Sequence, residues 1–201
     1  MVERKELLSK LGTEVMSDIL LDFASCYEEV NYCVNWMLVA PEERLAVVKA
    51  KIAGLYKIQD YIDWRHAGEL ENKLYDILGD IKSLNPSPEI GLELVVEFFR
   101  TDSHVFEICD SDMTGIIYGN DAAELFMEFG KQCEQKDFII ELLLELLKDD
   151  NYSVRGDILV HAGEFLSLTE LKILFRKIQI ELDDPCASYL RELSKQMRDK
   201  I

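Results

Sequence analysis

No run of β-branched residues in strict alternation occurs anywhere in the 201 residues, which excludes a half-buried sheet as the organising element. Basic charge is also short. Twenty-two Lys and Arg stand against 39 Asp and Glu, for a net charge of −17. Such a surface repels phosphate backbones and anionic headgroups, so nucleic acid and membrane surfaces are excluded as partners, while basic proteins and metal cations are attracted. The five cysteines are odd in number, scattered, and form no CxxC pair, which argues against zinc or dithiol chemistry and for reduced thiols in a cytosol. The start "MVERKELLSKLG" lacks the basic flank, apolar run and cleavage site of a signal peptide. The most apolar stretch, "FIIELLLELL" from Phe138, is interrupted by Glu141 and Glu145 and falls short of the roughly 20 residues a membrane span needs. The expectation is a cytoplasmic chain.

What is present is helical spacing. Apolar residues recur at i, i+3 and i+4 over 3–11, 14–26, 28–39, 42–59, 66–83, 88–108, 121–134, 137–148, 153–165, 168–181 and 186–199. Start signals agree: Ser87-Pro88 and Asp184-Pro185 offer an N-cap followed by proline, and Ser167 and Glu170 stand at capping-box spacing. Every connection except 109–120 is short. Along three helices a narrow polar line crosses an otherwise apolar surface: Asp18/Asp22/Ser25, Glu93/Glu97/Arg100 and Glu141/Glu145/Lys148. A helix apolar over most of its circumference has to be covered on more than one side. The pattern therefore predicts an all-α fold of irregular antiparallel helical-hairpin repeats, a tetratricopeptide- or HEAT-like superhelical bundle, forming one domain over 1–201 with a subdivision near 84–88.

The segment "YIDWRHAGELENKLYDIL", from Tyr61, resembles the [FY]-I-D-[YF]-R opening of a central helix in a bacterial family of all-helical proteins known as a domain of unknown function. The order that follows is similar too: a helix like "GLELVVEFFRTDSHVFE", an acidic turn like "CDSDMTG", then "LLKDDNYSVRGDILVHAGEFL". The likeness runs through nearly the whole chain. It implies a helical-repeat fold and carries no assigned activity.

Three constellations are candidate sites. In "DSDMTGIIYGND", Asp110 to Asp121, the residues at the ligand places of a twelve-residue calcium loop are Asp110, Asp112, Thr114, Ile116 through its carbonyl, Tyr118 and Asp121, with Gly115 at the bend. Against calcium or magnesium there, Asp replaces the closing Glu, Tyr118 is a poor ligand, and Asp121 with Glu124 forms a capping box worth about 1 kcal/mol without an ion. The resembled family closes this turn with fewer residues, which implies a local insertion. The second constellation, in "YKIQDYIDWRH", gathers Tyr56, Tyr61, Asp63, Trp64 and Arg65 at a helix boundary. It reads either as an aromatic grip for a peptide or as an interhelical corner with Asp63 capping the next helix or pairing with Arg65. The third, Asp157, His161 and Glu164, has the spacing of a general-base trio, the basis for a hydrolase reading, but no phosphate loop, nucleophile elbow or HExxH accompanies it.

The sequence thus points to a non-enzymatic scaffold that binds a partner protein and needs no cofactor. Tyr61, Asp63, Trp64 and Arg65 would serve as anchors. Asp18/Asp22, Glu93/Glu97 and Glu141/Glu145 would form an acidic track for a basic or amphipathic segment, unless the polar lines are seams whose acids pair with Lys or Arg of neighbouring helices.

Overall fold

In the computed structural model, residues 10–181 and 187–200 are described. They form two compact units, one up to Val47 and one from Val48 on. The fold is all-α: among the described residues the only β feature is an isolated parallel bridge between Ile62 and Cys109. No helix among them is long and apolar enough to cross a membrane. The position expected for a subdivision, 84–88, lies inside the second unit.

The first unit contains α1 (Thr13–Cys26), α2 (Glu28–Leu38) and the start of α3 (Pro41–Leu55). Extended backbone at Tyr27 separates α1 from α2, and the two pack on each other. Of the helix expected over 3–11, residues 3–9 lie outside the described residues, and Lys10 and Leu11 form a turn.

In the second unit, α4 (Gly68–Ser83) follows a 3-10 turn, Trp64–His66, and ends where Asn85 takes a left-handed φ of 45°, a conformation Asn tolerates better than most residues. Next comes α5 (Pro88–Phe99). Its start follows the sequence signal, with the Ser87 hydroxyl accepting from Ile90 N–H at 3.4 Å and Pro88 in the first turn. Leu92, Leu94, Val95, Val96, Phe98 and Phe99 of α5 are all buried. Side chains this size contribute about 1.5–3 kcal/mol each on burial, which makes α5 the centre of the core. Around it pack α4, α8 (Ala123–Gln132) and α9 (Lys136–Lys148). Gly91 permits the closest of these approaches, because a Cβ there would lie 2.6 Å from the Phe129 ring. Gly91→Ala is expected to cost about 1–3 kcal/mol by overpacking, read as a lowered denaturation midpoint. An unchanged midpoint would contradict this packing.

The single helix expected over 88–108 breaks at Arg100–Thr101 into α5 and α6 (Asp102–Ile108). The break serves a buried polar centre. The Arg155 Nε and a terminal guanidinium nitrogen each donate to the Asp102 carboxylate at 2.7 Å, and its other terminal nitrogen donates to the Leu146 carbonyl at 3.1 Å. Beside this pair the Thr101 hydroxyl and the Tyr118 phenol lie 2.6 Å apart, and Tyr118 stacks on Phe98. Burial holds the Tyr118 phenol protonated by pushing its pKa far up. The chain then runs through a 3-10 segment, Arg155–His161, α10 (Ala162–Phe165), α11 (Leu168–Glu181) and α12 (Ala187–Asp199). Ser167 and Glu170 form the expected capping box: Ser167 N–H donates to the Glu170 carboxylate at 2.6 Å, and Glu170 N–H to the Ser167 hydroxyl at 3.4 Å. The Asp184-Pro185 signal lies outside the described residues.

Candidate functional site

The segment that joins α3 to α4 is pinned at three points against Arg100 and α6. Tyr56 Oη donates to the Arg100 carbonyl at 2.8 Å, His104 Nε2 lies 2.9 Å from the Ile58 carbonyl, and Ile62 N–H donates to the Ile108 carbonyl at 2.7 Å. The last of these bonds joins two stretches that the sequence shows only as separate motifs, the YIDWR corner and the acidic turn at Cys109–Asp112. Ser111 ties the turn to α4 as well, its hydroxyl donating to the Glu71 carboxylate at 2.6 Å.

On this pinned segment the aromatic residues face outward. Tyr61 is 64% exposed and Trp64 59%. The alternative that they pack between helices does not hold. Asp63 takes the capping role, its carboxylate accepting from Arg65 N–H at 3.0 Å and starting the 3-10 turn. The Arg65 guanidinium lies 5.0 Å from the centre of the Trp64 ring, a cation–π contact that orients the indole without covering it. Local desolvation, and then the Asp110 and Asp63 carboxylates, raise the Tyr61 phenol above its ordinary value near 10, so it remains a neutral donor at physiological pH.

Beside these residues opens a cleft of about 490 Å³. Ile58, Ile62 and Leu70 give it apolar lining, Asp60 and Tyr61 stand on one side, and Glu69 and Lys73 of α4 on the other. A second cleft of about 300 Å³, lined by Gly54, Leu55, Ile77 and Lys51 among others, shares Ile58 and Lys73 with the first. Together they make one groove along α3 and α4. Sequence reasoning missed Gly54, Ile58 and Lys73. The only signal was a glycine inside a helical pattern at "KIAGLYK". A Cβ at Gly54 would meet nothing within 4 Å, so packing does not require glycine there. Gly54→Ala is expected to stabilise the fold by about 0.5–1 kcal/mol, because alanine is the better helix former and loses less backbone freedom. A lowered melting temperature would contradict the open geometry.

The remaining candidates separate from this groove. The twelve-residue loop expected at Asp110–Asp121 is helical from Asp112 on: α7 (Asp112–Ile116) continues into a π-helical turn, Ile117–Ala122, and then into α8. Two side chains account for the correction. The Ser111 hydroxyl caps α7 by accepting from Met113 N–H, and the burial of Tyr118 draws the following turn into the core. Asp110 and Asp112 are exposed, while Thr114 is buried and donates its hydroxyl to the Ser111 carbonyl at 2.6 Å. Ile116 lies within the continuous helix. Asp121 is inside the π-helical turn instead of capping a helix, and its pKa is raised by desolvation and then by Glu124. Among the described residues no group of three or more His, Cys, Asp or Glu is arranged to hold a metal ion.

His161 pairs with Glu164 at 2.8 Å, and Glu164 also takes Lys131 at 2.7 Å. The Lys131 and His161 contacts lower the Glu164 pKa, so this carboxylate is an occupied anion and a weak base. The polar lines are seams at three of their acids: Glu97 pairs with Lys49 at 3.3 Å, Glu141 with Lys177 at 2.5 Å, and Glu145 with Arg100. Glu93 is exposed on α5. The chain matches no family model, no curated protein and no solved structure.

Proposed function

We propose that the protein works by binding another protein, without chemistry of its own, and that the corner at Tyr61, Asp63, Trp64 and Arg65 is its contact point. The observation that carries this reading is the exposure of two large aromatic side chains on a pinned backbone beside an open groove. Tyr and Trp are the residues in which interface energy concentrates, and a corner held by cap, bridge and cation–π contact loses little freedom on binding. The acidic track through Glu93 and Glu97 is the weaker surface, because Glu97 is already neutralised by Lys49.

Affinity capture from a bacterial lysate, compared between the wild-type chain, Tyr61→Ala/Trp64→Ala and Glu93→Lys/Glu97→Lys, tests the assignment. Captured proteins should be lost with the aromatic pair and kept with the charge reversal. Capture of the same proteins by the aromatic double variant would refute the corner as the contact point.

A further inference from the structure

The geometry points to a specific occupant for the groove beside the aromatic corner: a peptide segment of the partner protein that lays an apolar side chain against Gly54 and Ile58 and a Lys or Arg toward Asp60 and Glu69. The inference rests on the reading of the corner as a protein-binding site and adds the chemistry of what binds.

Three observations carry it. The first is the glycine. A glycine within a helix costs about 0.5–1 kcal/mol relative to alanine, and at Gly54 neither a left-handed φ nor a close neighbour within the chain requires it. Its position on the wall of the groove gives it a use, because a side chain there would fill the space an incoming group needs. The second is the lining. Ile58 is half-buried and lines both clefts, with Leu55, Leu70 and Ile77 forming the buried floor beneath, so the apolar surface open to an anchor centres on Ile58. The third is charge. At the corner end Asp60, Asp63 and Glu69 line the cleft, faced by Lys73 and His66, and the chain as a whole carries −17. At the Gly54 end Lys51 is already taken by Asp80 at 2.5 Å, and Lys73 and Asp76, which both line that cleft, offset each other in charge. A segment with its basic residue at the corner end and its apolar residue at the Gly54 end satisfies both, and the exposed Tyr61 ring, which lines the corner cleft, offers a surface for a Lys or Arg stem.

The test is selection of a displayed library of random short peptides on the full chain, followed by affinity measurement of the enriched peptides against variants. Enriched sequences should carry an apolar residue near a Lys or Arg. Gly54→Gln, which places a flexible side chain in the groove, should weaken them by at least about tenfold while the melting temperature stays at or above that of the wild type. Asp60→Asn/Glu69→Gln should weaken them severalfold at low salt, with the difference shrinking as salt screens the pair. Enriched peptides that depend on Tyr61 and Trp64 yet lack a basic residue, or that bind Gly54→Gln unchanged, would overturn the inference and leave the protein-binding reading standing. Enriched peptides that bind Tyr61→Ala/Trp64→Ala as tightly as the wild type would remove that reading and the inference with it.

Discussion

Asp102→Ala should destabilise the second unit by about 3–5 kcal/mol, the largest effect expected of any single change described above. Asp102 is fully buried and accepts two 2.7 Å bonds from Arg155, itself 4% exposed. Removing the carboxylate strands a guanidinium where water cannot reach it, so the loss exceeds what the pair contributes over an apolar substitute. The same reasoning predicts that Asp102→Leu/Arg155→Met, which leaves no buried charge unpaired, is less damaged than Asp102→Ala alone. Urea denaturation of the three proteins measures it. A cost below about 1 kcal/mol for Asp102→Ala would mean that water reaches the pair.

The second large effect is on binding. Against a purified partner, Trp64→Ala is expected to raise Kd by about 30-fold or more, the range of an interface hot spot, and Tyr61→Ala by a smaller factor. Stability should change by no more than about 0.5 kcal/mol, since both rings are largely exposed. Opposite behaviour, a stable complex and a weakened fold, would place the two rings in the packing of the corner. Arg65→Ala separates the orienting role from the anchoring one: the indole loses its cation–π contact but keeps its surface, so the loss in affinity should be the smaller.

Features determined by neighbours in sequence were legible in the sequence. Ser87 and the Ser167/Glu170 box begin helices because their hydroxyls and carboxylate reach backbone N–H groups within three residues. Features determined across the chain were not. The Asp102–Arg155 pair spans 53 positions, and neither "RTDSH" nor "SVRGD" marks it locally. The segment Asp110–Asp121 has the residue order of a cation loop, but Tyr118 fits between Phe98, Phe99 and Phe106, and core burial decides its conformation. The corner residues were visible as a cluster, whereas their exposure depended on how Ile62 pairs with Cys109, 47 residues later in the chain, a contact no local pattern encodes. The seams at Glu97, Glu141 and Glu145 were one of two readings of the polar lines, and only the neighbouring helices could decide between them.

A partner's peptide seated in the groove from Gly54 to the Tyr61 corner would change the surroundings of the backbone amides that line it. Backbone amide chemical shifts of the full chain, recorded while a library-selected peptide is added, report that change most directly. Saturable shifts are expected, concentrated between Gly54 and Asp76 and in the adjoining turn at Cys109–Asp112. Shifts concentrated on α9 and α11, with the corner unchanged, would contradict that seating.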